Sequence, residues 1–166
     1  MIIWFGKISS LDAIAHLLIL DKLEETLITI PNPFDSTSNI DLALGITKNS
    51  KQRVNIINNT PFITCDFFVS ATIKTSGKNF DYTTAENIAI VEEQTSKYLE
   101  KIILNYLYTL SKEYNSDVLA FKDILSRTCI TNQELENYHW ETIYKDSYFK
   151  VSVNTNINST HLFDKE

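Results

Sequence analysis

"FITCDFFVSATI", residues 62–73, decides the fold. Ile63, Cys65, Phe67, Val69, Ala71 and Ile73 take every second position, with Thr64, Asp66, Ser70 and Thr72 between them. Successive side chains of a strand point to opposite faces, so this alternation sends one face into a core and leaves the other wet. One buried face and one solvated face are the mark of an antiparallel sheet. Phe62 and Phe68 interrupt the polar set, so part of the wet face is expected to be covered.

The period of two extends upstream. Ile40, Leu42, Leu44 and Ile46 alternate with Asp41, Ala43, Gly45 and Thr47. The polar segment 48–51 (KNSK) reads as a turn, after which Val54 and Ile56 resume the pattern, and 58–61 (NNTP) reads as a second turn. Residues 25–33 (ETLITIPNP) form a strand closed by Pro31 and Pro33, which cannot donate ladder hydrogen bonds. Ile2–Lys7 reads as a further short strand. Ser9 or Ser10 then caps a helix with Asp12 in its first turn, where the dipole favours a carboxylate. Leu11, Ile14, Ala15, Leu18 and Ile19 share one face of that helix, which is expected to end near Lys22.

Downstream the period changes to 3.6. From Thr83 or Thr84 to Tyr114 a stripe of Ile88, Val91, Thr95, Tyr98, Ile102, Tyr106 and Leu110 is widened by Leu99, Ile103 and Leu107. Roughly 30 residues at about 1.5 Å each make a helix some 45 Å long, which must lie along the sheet. Ser116 starts a shorter helix running to about Arg127, and Thr131 or Asn132 starts another running to about Lys145. The chain closes on a strand with Phe149, Val151, Val153, Thr155 and Ile157 on one side and Lys150, Ser152, Asn154 and Asn156 on the other. The fold class is α+β: a curved, mostly antiparallel sheet with a long helix and shorter helices packed on one face.

Composition narrows function mainly by exclusion. The 166 residues suit one domain with a substantial core. A net charge of −6, with the Lys and Arg residues scattered, argues against nucleic acid as a partner. Three glycines and three prolines leave no Gly-rich phosphate loop. No apolar run reaches the roughly 18 residues of a membrane span, and the first ten residues lack the basic leader and cleavage site of a signal peptide, so the chain reads as soluble. Cys65 and Cys129 are too few for a disulfide scaffold; Cys65, on the apolar face of its strand, is expected to be a buried free thiol.

Catalytic templates lack their partners. His16, His139 and His161 show no metal-ligand spacing with one another or with cysteine, so neither metal nor cofactor is expected. Cys129, following a helix end, is the better candidate nucleophile of the two thiols, against the plainer reading of an incidental thiol. Glu24–Glu25 and Glu92–Glu93 are sequence neighbours that point in different directions and read as surface charge, not as an acid and base pair. Tyr138, Trp140 and Tyr144 crowd one short segment. Trp140 and Tyr144 fall on one helical face, which fits core packing; the alternative is an aromatic anchor for a partner protein.

The stretch Asn115-Ser116-Asp117-Val118-Leu119-Ala120-Phe121 after the long helix, the helix bearing Trp140, and the closing strand "YFKVSVNTNI" (148–157) carry a resemblance. Together they resemble the C-terminal domain of the spore germinant receptor C subunit, the Ger(x)C lipoprotein family. That family shows a Ser-Asp-hydrophobic-hydrophobic-Gly-Phe-Gly segment, a Trp-bearing helix and a closing strand of alternating valines. Residues 7–31 resemble more loosely the family's Leu-rich helix leading into an Ile-Val strand. Ala120 and Lys122 stand where the family usually has glycines.

The resemblance implies a non-enzymatic subunit of a receptor in dormant spores that takes part in nutrient-triggered germination. It further implies two membrane-embedded partner subunits, A and B, and peripheral attachment to the spore inner membrane by a lipid on an N-terminal cysteine. Residues 1–166 would then be one domain, the last of a lipoprotein about twice this length. Ser116, Asp117, Phe121 and Trp140 are the family-motif residues, with structural roles. A small-molecule pocket for the germinant, between sheet and helices, is the alternative function.

Overall fold

The computed structural model describes residues 9–75, 82 and 84–160. Helix α1 (Ser10–Ile19) begins at a capping box: Ser9 Oγ accepts from the Asp12 amide, and the Asp12 carboxylate accepts from the Ser9 amide. It stops at Leu20, two residues short of the sequence expectation. Asp21 takes φ 54°, and the amides of Lys22 and Asp21 donate back to the carbonyls of Leu17 and Leu18. That is a Schellman stop with Asp in the left-handed position usually given to Gly. Ala15, Leu18 and Ile19 are buried, and Leu11 is exposed at the helix start.

Four strands follow in the sheet order β1-β2-β3-β4: β1 (Thr26–Pro31), β2 (Asn39–Ile57), β3 (Thr60–Thr75) and β4 (Tyr148–Thr160). The expected turn at 48–51 does not form. β2 is continuous there and absorbs the extra residues as register shifts between Ile46 and Lys51. The Asp21 carboxylate accepts from the Ser50 amide and hydroxyl, and Gln52 donates to the Ile19 carbonyl, so the bulge is tied to the end of α1. The turn at Asn58–Asn59 does form, with φ 49° and 62°, the two positive values of a two-residue hairpin. Asn tolerates that conformation better than most residues.

Residues 85–108 form the long helix α2, capped by Thr84 Oγ1 accepting from the Asn87 amide. The chain continues as a π-helical turn (Thr109–Glu113), so the helical run ends where the period of 3.6 ends. α3 (Phe121–Ser126) begins five residues later than its sequence start at Ser116. The helix expected over 132–145 is broken in two: α4 (Asn132–Asn137) and α5 (Trp140–Ile143), followed by a 3-10 turn at Tyr144–Asp146. The break lies at His139, whose φ of 50° cannot continue a right-handed helix. The expected strand at 2–7 lies outside the described residues.

β1, β2 and β3 pair antiparallel, as the alternation predicts, whereas β4 pairs parallel to β3. Parallel neighbours need a long crossover, and α2 with the three short helices supplies it. Every odd residue from Ile63 to Ile73 is buried against the helices, as are Phe149, Val153, Thr155 and Ile157 of β4. Helix and outer strand also meet by hydrogen bonds. Along the free edge of β4, the amides of Phe149, Val153, Thr155 and Ile157 donate to Tyr108 Oη, Glu100 Oε1, Ser96 Oγ and Glu92 Oε1. Four helical residues rise about 6 Å and two strand residues about 6.6 Å, so acceptors spaced by four on α2 meet every second amide of β4. This edge is thereby closed to pairing with another strand.

Candidate functional site

A polar constellation lies where α2 hands over to α3. The π-helical turn buries Ser111 and ends at Tyr114, after which Asn115 takes φ 42° and turns the chain. The Ser116 amide donates to the Leu110 carbonyl, closing this corner. Ala120 then takes φ 59° and releases the chain into α3.

Asp117 organises the site. Its Oδ1 accepts from the Phe121 amide at 2.9 Å, and its Oδ2 accepts from the Lys122 amide at 2.8 Å and from Trp140 Nε1 at 3.0 Å. One carboxylate thus satisfies two orphan amides at the start of α3 and pins α5 to it. The sequence places the start of this helix at Ser116; in the structure the side chain that accepts the first helix amides is Asp117, because the chain spends three more residues turning before α3 begins. Phe121 is fully buried and its ring meets Phe149 of β4 at 6.3 Å. Trp140 and Tyr144 are 2 % and 1 % exposed, with ring centroids 5.4 Å apart, and Tyr138 is half-buried at the end of α4. Ser116, Asp117, Phe121 and Trp140 therefore gather at one corner.

A cleft of about 310 Å³ opens beside this corner, lined by Asn115, Asp117, Lys122, Asp123, Trp140 and Glu141 among others. Lys122 ion-pairs with Glu141 at 2.5 Å, and this hydrogen bond holds the Glu141 carboxyl below its usual range. Asn115 Nδ2 donates to the Glu141 carbonyl at 3.1 Å. No spacing in the sequence brings Glu141 to Asn115 and Lys122, so their meeting is visible only in the fold. Tyr144, which also borders the cleft, keeps its hydroxyl buried with no hydrogen-bond partner among the described residues; burial first, and the Asp117 charge second, push its pKa up.

The remaining candidates lie apart. Cys65 is a buried free thiol in the core face of β3, pushed up to about 12 by burial and then by Asp66, which disfavours the thiolate needed for nucleophilic work. Cys129 is half-buried, its thiol 3.6 Å from the Leu125 carbonyl. His16 Nδ1 lies 2.8 Å from the Tyr106 hydroxyl, in the packing between α1 and α2. Among the described residues no group of three or more His, Cys, Asp or Glu is arranged to hold a metal ion, and no helix is long and apolar enough to cross a membrane.

Comparison with known proteins shows a likeness to a family and to a solved structure. The family model described as "Spore germination B3/GerAC like, C-terminal" matches residues 4–161. Among solved structures, the crystal structure of the GerBC protein superposes with a TM-score of 0.74 at 16 % identity, covering 91 % of this chain and 46 % of that one. The chain thus spans less than half the length of the GerBC chain. No curated protein matches it.

Proposed function

This chain belongs to the spore germination B3/GerAC-like C-terminal family, and from that premise we propose that it is a non-catalytic domain of a spore germinant receptor C subunit. In this reading it serves nutrient-triggered germination by contacts with the membrane subunits A and B of the same receptor. The family match over residues 4–161 is the observation that carries it. The motif corner supports it: Asp117 is committed to two amides and an indole, and Phe121 and Trp140 are buried, so these residues serve the architecture.

The test is co-purification of the protein, extended to its native full length, with tagged A and B subunits from membranes of the spore-former. Retention of both is the expected result, and loss of both would overturn the reading. A second reading, a germinant-binding domain, is favoured by the cleft of about 310 Å³ beside Asp117 and Trp140, which matches the lower end of small-molecule sites. Thermal melts with amino acids, sugars and nucleosides separate the two. A ligand binding only the folded state raises the midpoint with concentration, whereas a pure docking domain melts unchanged.

A further inference from the structure

Strand register gathers on the helix-free face of the sheet a set of side chains that are dispersed in sequence. Starting at the Asn58–Asn59 turn, this face presents Ile57, then the neighbours Phe62 and Tyr148. Next comes Arg53 beside Thr64 and Lys150, then Lys51 beside Asp66 and Ser152, then Lys48 beside Phe68 and Asn154. Ile57 and Tyr148 are 51 % and 56 % exposed, and Phe62 packs its ring 5.6 Å from Tyr148. Lys48, Lys51, Arg53 and Lys150 are all exposed. One carboxylate, Asp66, stands among these four cations, 3.9 Å from Arg53. On a chain of net charge −6 this half of one face is strongly cationic. Farther along, Asp41 and the Lys74–Glu25 ion pair restore the balance.

From this arrangement we infer that the hairpin end of the open sheet face docks on an anionic phospholipid surface, with Ile57 and Tyr148 at headgroup depth and the cations on lipid phosphates. The order along the strands carries the assignment. An exposed aliphatic and an aromatic with a polar tip come first and a belt of cations second, as in proteins that lie at a membrane interface. The cleft beside Asp117 and Trp140 lies instead at the α2–α3 corner, on the helix side of the sheet. The inference stands on the face itself and goes beyond the receptor reading.

The test is co-sedimentation of the 166-residue chain with vesicles of phosphatidylcholine alone or with 30 mol % phosphatidylglycerol, at about 0.1 M and 0.5 M salt. Binding is expected on the anionic vesicles at low salt and its loss at high salt, because charges at a surface are screened within about 4–10 Å over that range. Each neutralised cation is expected to cost about fivefold in partitioning, so Lys48→Gln, Lys51→Gln and Lys150→Gln together cost about a hundredfold. Ile57→Ser with Tyr148→Ser is expected to weaken the low-salt binding further, without changing its dependence on salt. All five positions are exposed, and a melt unchanged from wild type certifies each variant as folded. Failure to bind anionic vesicles overturns the inference, as does binding the triple variant leaves intact. Equal or tighter binding to a single-stranded oligonucleotide reassigns the face to nucleic acid and overturns the lipid assignment.

Discussion

Replacing Asp117 with Ala removes the one acceptor shared by the Phe121 amide, the Lys122 amide and the Trp140 indole. The two amides lie at the start of α3, where water reaches in part, and losing such a cap costs about 1 kcal/mol. The indole belongs to a side chain only 2 % exposed, so its N–H loses its partner inside the protein, at about 1–3 kcal/mol. The sum is about 2–4 kcal/mol, or about 5–15 °C in Tm for a domain of this size. Urea denaturation of wild type, Asp117→Ala, Trp140→Phe and the double variant reads it. Trp140→Phe keeps an aromatic ring in place and deletes the donor, so the cycle isolates the carboxylate–indole bond, with a coupling of about 1 kcal/mol expected. A loss below about 0.5 kcal/mol for Asp117→Ala, or additivity in the cycle, would refute the assignment of Asp117 as the organiser of the corner.

Ala120→Gly is expected to stabilise by about 0.5–1 kcal/mol, because φ 59° strains an L-residue by more than glycine's added freedom costs when unfolded; a lowered Tm would show the strain is absent. Tyr144→Phe deletes a buried hydroxyl that has no partner among the described residues and is expected to leave stability unchanged or raise it by up to about 1 kcal/mol in the same denaturation assay, a loss above that figure counting against it. The Cys65 thiol, raised by folding from 9.0 to about 12, contributes stability that is complete below pH 9 and is lost as pH climbs towards 12. In that window the unfolded thiol releases a proton the folded one keeps, so wild type should lose about 1.4 kcal/mol per pH unit more than Cys65→Ala. Equal slopes for the two proteins between pH 9.5 and 11 would refute it, and under native conditions at pH 8 iodoacetamide should label Cys129 well before Cys65.

Much of this fold was legible because burial has a period. The alternation in 62–73 and 149–157 and the stripe from Ile88 to Leu110 each mark a core-facing surface, and local chemistry added the caps at Ser9, Thr84 and Thr131. Where the reading went astray, a distant contact outweighed local preference. The polar run 48–51 has turn chemistry, yet Asp21 and the β3 ladder hold it extended as a bulge. Ser116 is a good N-cap by type, but Asp117 and the left-handed Ala120 move the start of α3 to Phe121, and His139 divides the helix that periodicity ran through it. Lys122, where the family usually has glycine, lies inside α3 without a positive φ, so only the departure at 120 bears on the backbone.

The sequence by itself determined which residues face the core, the α+β class and the motif that marks the family, since these depend on neighbours within a few positions along the chain. Only the tertiary structure decided that β4 runs parallel to β3, that Asp117 meets Trp140, and that Lys48, Lys51, Arg53 and Lys150 share one open face. Strand order and register are set by contacts between residues tens of positions apart, whose free energy is gained only once the loops between them have closed, and no local pattern encodes it.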